Sequence, residues 1–129
     1  MSKKDVRNWV DSAKYDLKTA EDMFNAGRYI YTVFMCHLAL EKILKAKAHE
    51  ITGKMPPKIH DLEYLLGLAK LSLSLEAEKF VVEISNLSIV TRYPVDFQKM
   101  RKDFSAKKTK QLLIKTKKVF IWINKLIQL

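Results

Sequence analysis

Three stretches of this chain gather side chains able to handle charge or protons. In the apolar run FMCHLALEKILKAKA, His37, Glu41 and Lys45 recur at i, i+4 and i+8, so a helix places them on one face, with Lys42 beside them. Glu41 ahead of Lys45 is the favourable order for a helical ion pair. That strip reads either as a satisfied polar seam or as a phosphate site in which Glu41 orients Lys42 and Lys45. The second stretch is His60–Asp61. An aspartate at a helix start accepts from unpaired N–H groups, which accounts for Asp61 without chemistry, whereas His60 has no such explanation. The third is TRYPVDF, residues 91–97, where Arg92 and Tyr93 precede the helix-breaking Pro94. An arginine at a helix end is suited to gripping phosphate oxygens.

Other chemistries lack their residues. The three histidines, His37, His49 and His60, have no metal-ligand spacing, and no HExxH motif or Cys/His cluster is present. No glycine-rich phosphate loop occurs, and no serine or cysteine has a nucleophile's partners. Neither a metal nor a cofactor is expected. The single Cys36 excludes an internal disulfide, and its apolar neighbours suit a buried thiol.

The elements that must position these groups are helices. Five helical segments follow from the 3–4 residue recurrence of apolar side chains, with no strand-like alternation. The first runs from Ser2 or Lys3 to Ala26 with Val6, Trp9, Val10, Ala13, Leu17, Ala20 and Phe24 inward, and Gly27 stops it. The second runs from Tyr29 to Ile51, ahead of Gly53 and Pro56–Pro57. A short third starts at His60–Asp61 and carries Leu62, Leu65, Leu66 and Ala69. The fourth, capped by Ser72 or Ser74, carries Phe80, Val81, Ile84, Leu87 and Ile89 and stops at Tyr93–Pro94. The fifth starts at Ser105 and runs to the end of the chain, with Leu112, Val119, Ile123, Leu126 and Ile127 as its core stripe. The fold expected is all-α, an antiparallel up-and-down four-helix bundle with an additional short helix, in one domain over residues 1–129. The second helix is apolar on both faces: Phe34, Leu38 and Leu44 oppose Met35, Ala39 and Ile43. Such a helix is central or buries a second surface, and a homodimer through this region is the assembly expected.

The charge is lopsided. Of the net +10, the segment 99–129 holds ten basic residues against one acid, Asp103, so nine of the ten excess charges lie there. Lys107, Lys108, Lys115, Lys118 and Lys125 form a basic surface on the last helix, with Ile114 and Ile121 falling on the same side. A clustered excess of this kind is the footprint of a polyanion or an acidic partner, or else a solvated helix face. No apolar run approaches the ~18 residues of a membrane span, and MSKKDVRNWVD lacks the apolar core of a signal peptide. A soluble, cytoplasmic protein is expected.

Taken together, DLKTAEDMFNAGRY (16–29), FMCHLALEKILKAKA (34–48), IHDLEYLL (59–66) and TRYP (91–94) resemble the HEPN domain family in order and spacing, over nearly the whole chain. The resemblance implies a dimerising helical bundle, a minimal nucleotidyltransferase as partner, and a toxin–antitoxin setting. It also implies, for many relatives, a metal-independent ribonuclease built on an arginine, four to six residues, then a histidine. Arg92 matches that arginine. The histidine does not follow: Phe97, Gln98 and Lys99 stand in its place, and none shuttles protons near neutral pH. Tyr93 and His37–Leu38 are further departures from the family pattern.

Three readings result. The first is a module binding nucleotide, RNA or a nucleotidyltransferase through Arg92, Tyr93, Lys42, Lys45, Glu41, His37 and His60. The second is a degenerate ribonuclease using Arg92 with His37 or His60. The third is an interaction bundle whose charge keeps it in solution.

Overall fold

The computed structural model describes residues 3–129 as six helices: α1 (Lys3–Asn25), α2 (Tyr29–Thr52), α3 (Leu62–Leu68), α4 (Leu75–Arg92), α5 (Phe97–Asp103) and α6 (Ala106–Leu126). No strand occurs among the described residues. The four long helices make the antiparallel bundle, and Ser2, one of the two starts expected for the first helix, lies outside the described residues. Sequence chemistry sets most of the boundaries. Ser74 accepts from the Ala77 N–H, Ser105 from the Lys108 N–H, and Asp61 from the N–H groups of Glu63 and Tyr64. Gly53 closes α2 at φ +72°, where a side chain would be strained, and its N–H donates to the His49 carbonyl.

The hub is α2. It packs against α1, α3, α4, α5 and α6, and its buried residues point in every direction around the helix. Leu40, Ile43 and Leu44 are fully enclosed, each contributing about 1.5–3 kcal/mol of burial. Of the residues on its two apolar faces, Ala39, Ile43 and Leu44 are enclosed within the chain, while Phe34, Met35 and Leu38 are half-buried. The buried Asp16 belongs to the α1–α2 seam: it ion-pairs at 2.8 Å with the half-buried Lys42, which also donates to the Ser12 hydroxyl.

Three details differ from the sequence expectation. A sixth helix, α5, occupies the stretch after Pro94, capped by Asp96 and anchored by the buried Met100. Ile89, expected inside, is exposed, while the neighbouring Ser88 is buried. The last helix stops at Leu126, itself partly exposed, and its inward stripe runs instead through Thr109, Leu112, Leu113, Thr116, Val119, Phe120 and Ile123. Thr116 is buried mid-helix with its hydroxyl satisfied, donating to the Leu112 carbonyl.

Candidate functional site

The face of α2 carrying His37, Glu41 and Lys45 looks toward the loop that enters α3. His37 is fully buried, and its Nε2 lies 3.0 Å from the His60 carbonyl oxygen. A carbonyl only accepts, so Nε2 carries the proton and the imidazole pins the His60 backbone. His60 returns the contact: its Nδ1 donates to Glu41 Oε1 at 2.9 Å, while Lys45 holds Glu41 Oε2 at 3.1 Å. Lys45 in turn lies over the Trp9 ring, 5.7 Å from its centroid. Glu41 and Lys45 are both nearly inaccessible, so the carboxylate is a charge-balanced anchor inside the protein.

This arrangement fixes the state of two imidazoles. Burial, with the Arg92 guanidinium adding to it, outweighs Glu41 and the hydrogen bond to the His60 backbone and pushes the His37 pKa below the usual histidine value, which keeps that ring neutral. Its Nδ1 is 3.8 Å from Glu41 Oε1, too far for a hydrogen bond, and has no partner. His60 differs: its side chain is 58% exposed, and with Nδ1 given to Glu41 its Nε2 is the nitrogen left for a ligand.

Arg92, the last residue of α4, reaches the same place. Its guanidinium lies over the Phe34 ring of α2 at 4.9 Å, and its Nε is buried with no acceptor. Together with His60, Tyr93, Ser85, Asn86, Ser88 and neighbours it lines a groove of about 270 Å³ between α4 and the start of α3. Two carboxylates also line it. Asp61 is engaged in capping α3, and Glu63 stays exposed.

Of the residues singled out by sequence, the groove takes Arg92, Tyr93 and His60, with His37, Glu41 and Lys45 in the layer behind. Lys42 is elsewhere, committed to Asp16 and Ser12 on α1. Phe97, Gln98 and Lys99 form the exposed first turn of α5. Lys107, Lys108, Lys115, Lys118 and Lys125 are exposed along α6; Lys108 lies over Phe104 and Lys115 over Phe80. Lys117, by contrast, is ion-paired, at 2.6 Å from Glu21. Ser85 and Ser88 escaped the sequence reading, although they stand seven and four residues before Arg92 and so share its helix face. Among the described residues no group of three or more His, Cys, Asp or Glu is placed to hold a metal, and no helix is long and apolar enough to cross a membrane.

Comparison with known proteins agrees with this architecture. The HEPN domain family model matches residues 6–126. A solved structure, that of TT1696 from Thermus thermophilus, superposes with a TM-score of 0.78 at 20% identity, over 95% of this chain and 98% of the other. Among curated proteins no match is found.

Proposed function

The chain belongs to the HEPN domain family, and on that premise we propose that it is a dimeric module that binds the phosphate backbone of RNA, or a nucleotide, in the groove of Arg92 and His60. The observation that carries this reading is the buried Arg92 Nε, a cationic donor without an acceptor, beside an imidazole whose Nε2 has no protein partner. A phosphate oxygen satisfies the first and can accept from or donate to the second. Its cellular setting is a cytoplasmic toxin–antitoxin-type pair with a minimal nucleotidyltransferase. The second copy packs on the exposed apolar residues around the end of α4: Ile89, Val90 and Val95.

One observation favours a second reading, catalysis. The Glu41–His60 pair at 2.9 Å has the form of a carboxylate that orients a proton-transferring histidine. In that reading His60 Nε2 takes the proton from an RNA 2′-hydroxyl, and the oxygen attacks the adjacent phosphorus. The bond to the 5′ oxygen breaks, and that oxygen picks up a proton as it leaves. Arg92 stabilises the charge on the phosphate. His37, enclosed and tied to a backbone carbonyl, is a positioning residue in either case.

One experiment separates the readings. A labelled single-stranded RNA is titrated at low salt without metal, and its ends are analysed after incubation. Saturable binding that Arg92→Ala weakens about tenfold or more supports the proposal. Cleavage to a 2′,3′-cyclic phosphate, lost in His60→Ala, moves the assignment to the enzyme. Neither binding nor cleavage, for RNA and for nucleotides, overturns both. Light scattering on the same preparation is expected to give twice the 15.1 kDa of one chain, and a monomeric mass at micromolar concentration removes the dimer from the proposal.

A further inference from the structure

A second cavity lies where α1 turns into α2 and α5 meets α6. It measures about 440 Å³ and is lined by residues 27–31, Phe97, Arg101, Phe104 and Ser105, none of which lines the Arg92 groove. That size falls within the ~300–1,000 Å³ typical of small-molecule sites. Two guanidiniums, Arg28 and Arg101, share it. Neither has an ion-pair partner among the described residues, and no carboxylate is in the lining. The contrast with the other grooves is clear: the Arg92 groove carries Asp61 and Glu63, and the α4–α6 groove carries Glu76 and Glu83 beside its lysines. Two like charges converging on one concave surface, with nothing anionic to balance them, are an arrangement completed by an anion.

The rest of the lining narrows the anion. Aromatic side chains surround the arginines: Phe97 and Tyr31 are more than half exposed, Tyr29 packs against Phe24 at 5.5 Å, and Phe104 forms a buried wall. Exposed rings beside free guanidiniums offer faces for a planar group. The first-turn N–H groups of α2 border the same space, and no side chain caps them. They add to the positive potential that the arginines establish.

We propose that this cavity is a separate binding site for a phosphate monoester joined to a planar ring, a nucleoside monophosphate in chemical class. Arg28 and Arg101 hold the phosphate, and Phe97 and Tyr31 stack on the base. The site goes beyond the Arg92 groove and does not depend on it.

Isothermal titration with adenosine monophosphate and with inorganic phosphate tests the assignment, on the wild type and three variants. The double variant Arg28→Ala/Arg101→Ala is expected to weaken both ligands about tenfold or more. Phe97→Ala is expected to weaken the nucleotide about fivefold or more and leave phosphate unchanged. Arg92→Ala is expected to leave a high-affinity monophosphate site intact, even if it abolishes RNA binding. Arg28, Arg101 and Phe97 are exposed, so circular dichroism melts of the double arginine and Phe97 variants should match the wild type. Absence of saturable binding of both ligands at millimolar concentration overturns the proposal. So does binding that the double arginine variant leaves unchanged, or that Arg92→Ala alone removes.

Discussion

His37 shows how a single buried imidazole ties the core to the groove. Its Nε2–H holds the His60 backbone, its Nδ1 is unpartnered, and burial with the Arg92 guanidinium opposes its protonation more than Glu41 and the His60 carbonyl assist it. The consequence for stability has a definite sign. In the unfolded chain His37 protonates around its ordinary value of about 6.5, while in the folded chain it resists until lower pH. The unfolded state therefore binds more protons below that value, and stability present above pH 6.5 falls as the solution is acidified. His37→Gln, which keeps an amide donor near the Nε2 position, should flatten this decline between pH 7 and 5. A melting temperature with the same pH dependence in both proteins would show that other groups govern the acid limb. Cys36 adds no second titration near neutrality, since burial pushes its thiol up to about 11. At this scale the sequence was informative where spacing along one helix decides geometry. The i, i+4, i+8 pattern of His37, Glu41 and Lys45 yields the Glu41–Lys45 pair directly. It could not yield the bond from His60 to Glu41, because the two residues stand nineteen positions apart and the chain between them sets that distance. Lys42, next to Glu41 in sequence, is rotated about 100° around the helix and meets α1 instead.

Among the elements, the caps do much of the work of setting boundaries, and α6 gives the clearest measurement. Its first turn contains Lys107 and Lys108 and no acid, so the positive end of the helix dipole faces like charge. Ser105, accepting from the Lys108 N–H at 3.1 Å, is the polar group that relieves the turn. Ser105→Ala is expected to destabilise the protein by about 1 kcal/mol, and Ser105→Asp to be neutral or stabilising. Equal urea midpoints for the alanine variant and the wild type would refute that role. Long helices with periodic apolar residues and recognisable caps were legible in advance, including Asp61, Ser74 and Ser105 as starting points. The short α5 was not: no helix was expected between Pro94 and Ser105. Its signals are local, Asp96 as cap and Met100 and Phe104, four apart, as the inward edge. Missing it hid both the cavity at Arg28 and Arg101 and the true setting of Phe97.

For the molecule as a whole the governing quantity is where the charge sits. The seven lysines of α6 face solvent or other helices, Lys117 pairing with Glu21, while the Arg92 groove is formed by α4 and the start of α3. RNA bound through the groove alone should show a shallow salt dependence, about 0.7 log units of affinity per log unit of salt for each phosphate neutralised. If α6 also engages the strand, Lys115→Glu/Lys118→Glu should lower that slope by roughly one or more. A slope unchanged by the pair confines binding to the groove. The charge asymmetry was visible in the sequence because it needs only counting. Its relation to the groove was not, since that depends on which helices the hub separates.

The hub position of α2 has a consequence for how such a protein can change over generations. Glu41, His37 and Lys45 close the core and at the same time hold His60 at the groove. Removing one of them is penalised through folding even in a lineage with no ligand left to bind, since a lone buried charge costs about 3–5 kcal/mol. Arg92 and Tyr93, at the rim, carry less of that burden and are free to drift first. The inner residues are thus inherited as architecture, and a descendant could regain a function at the groove by altering the rim alone.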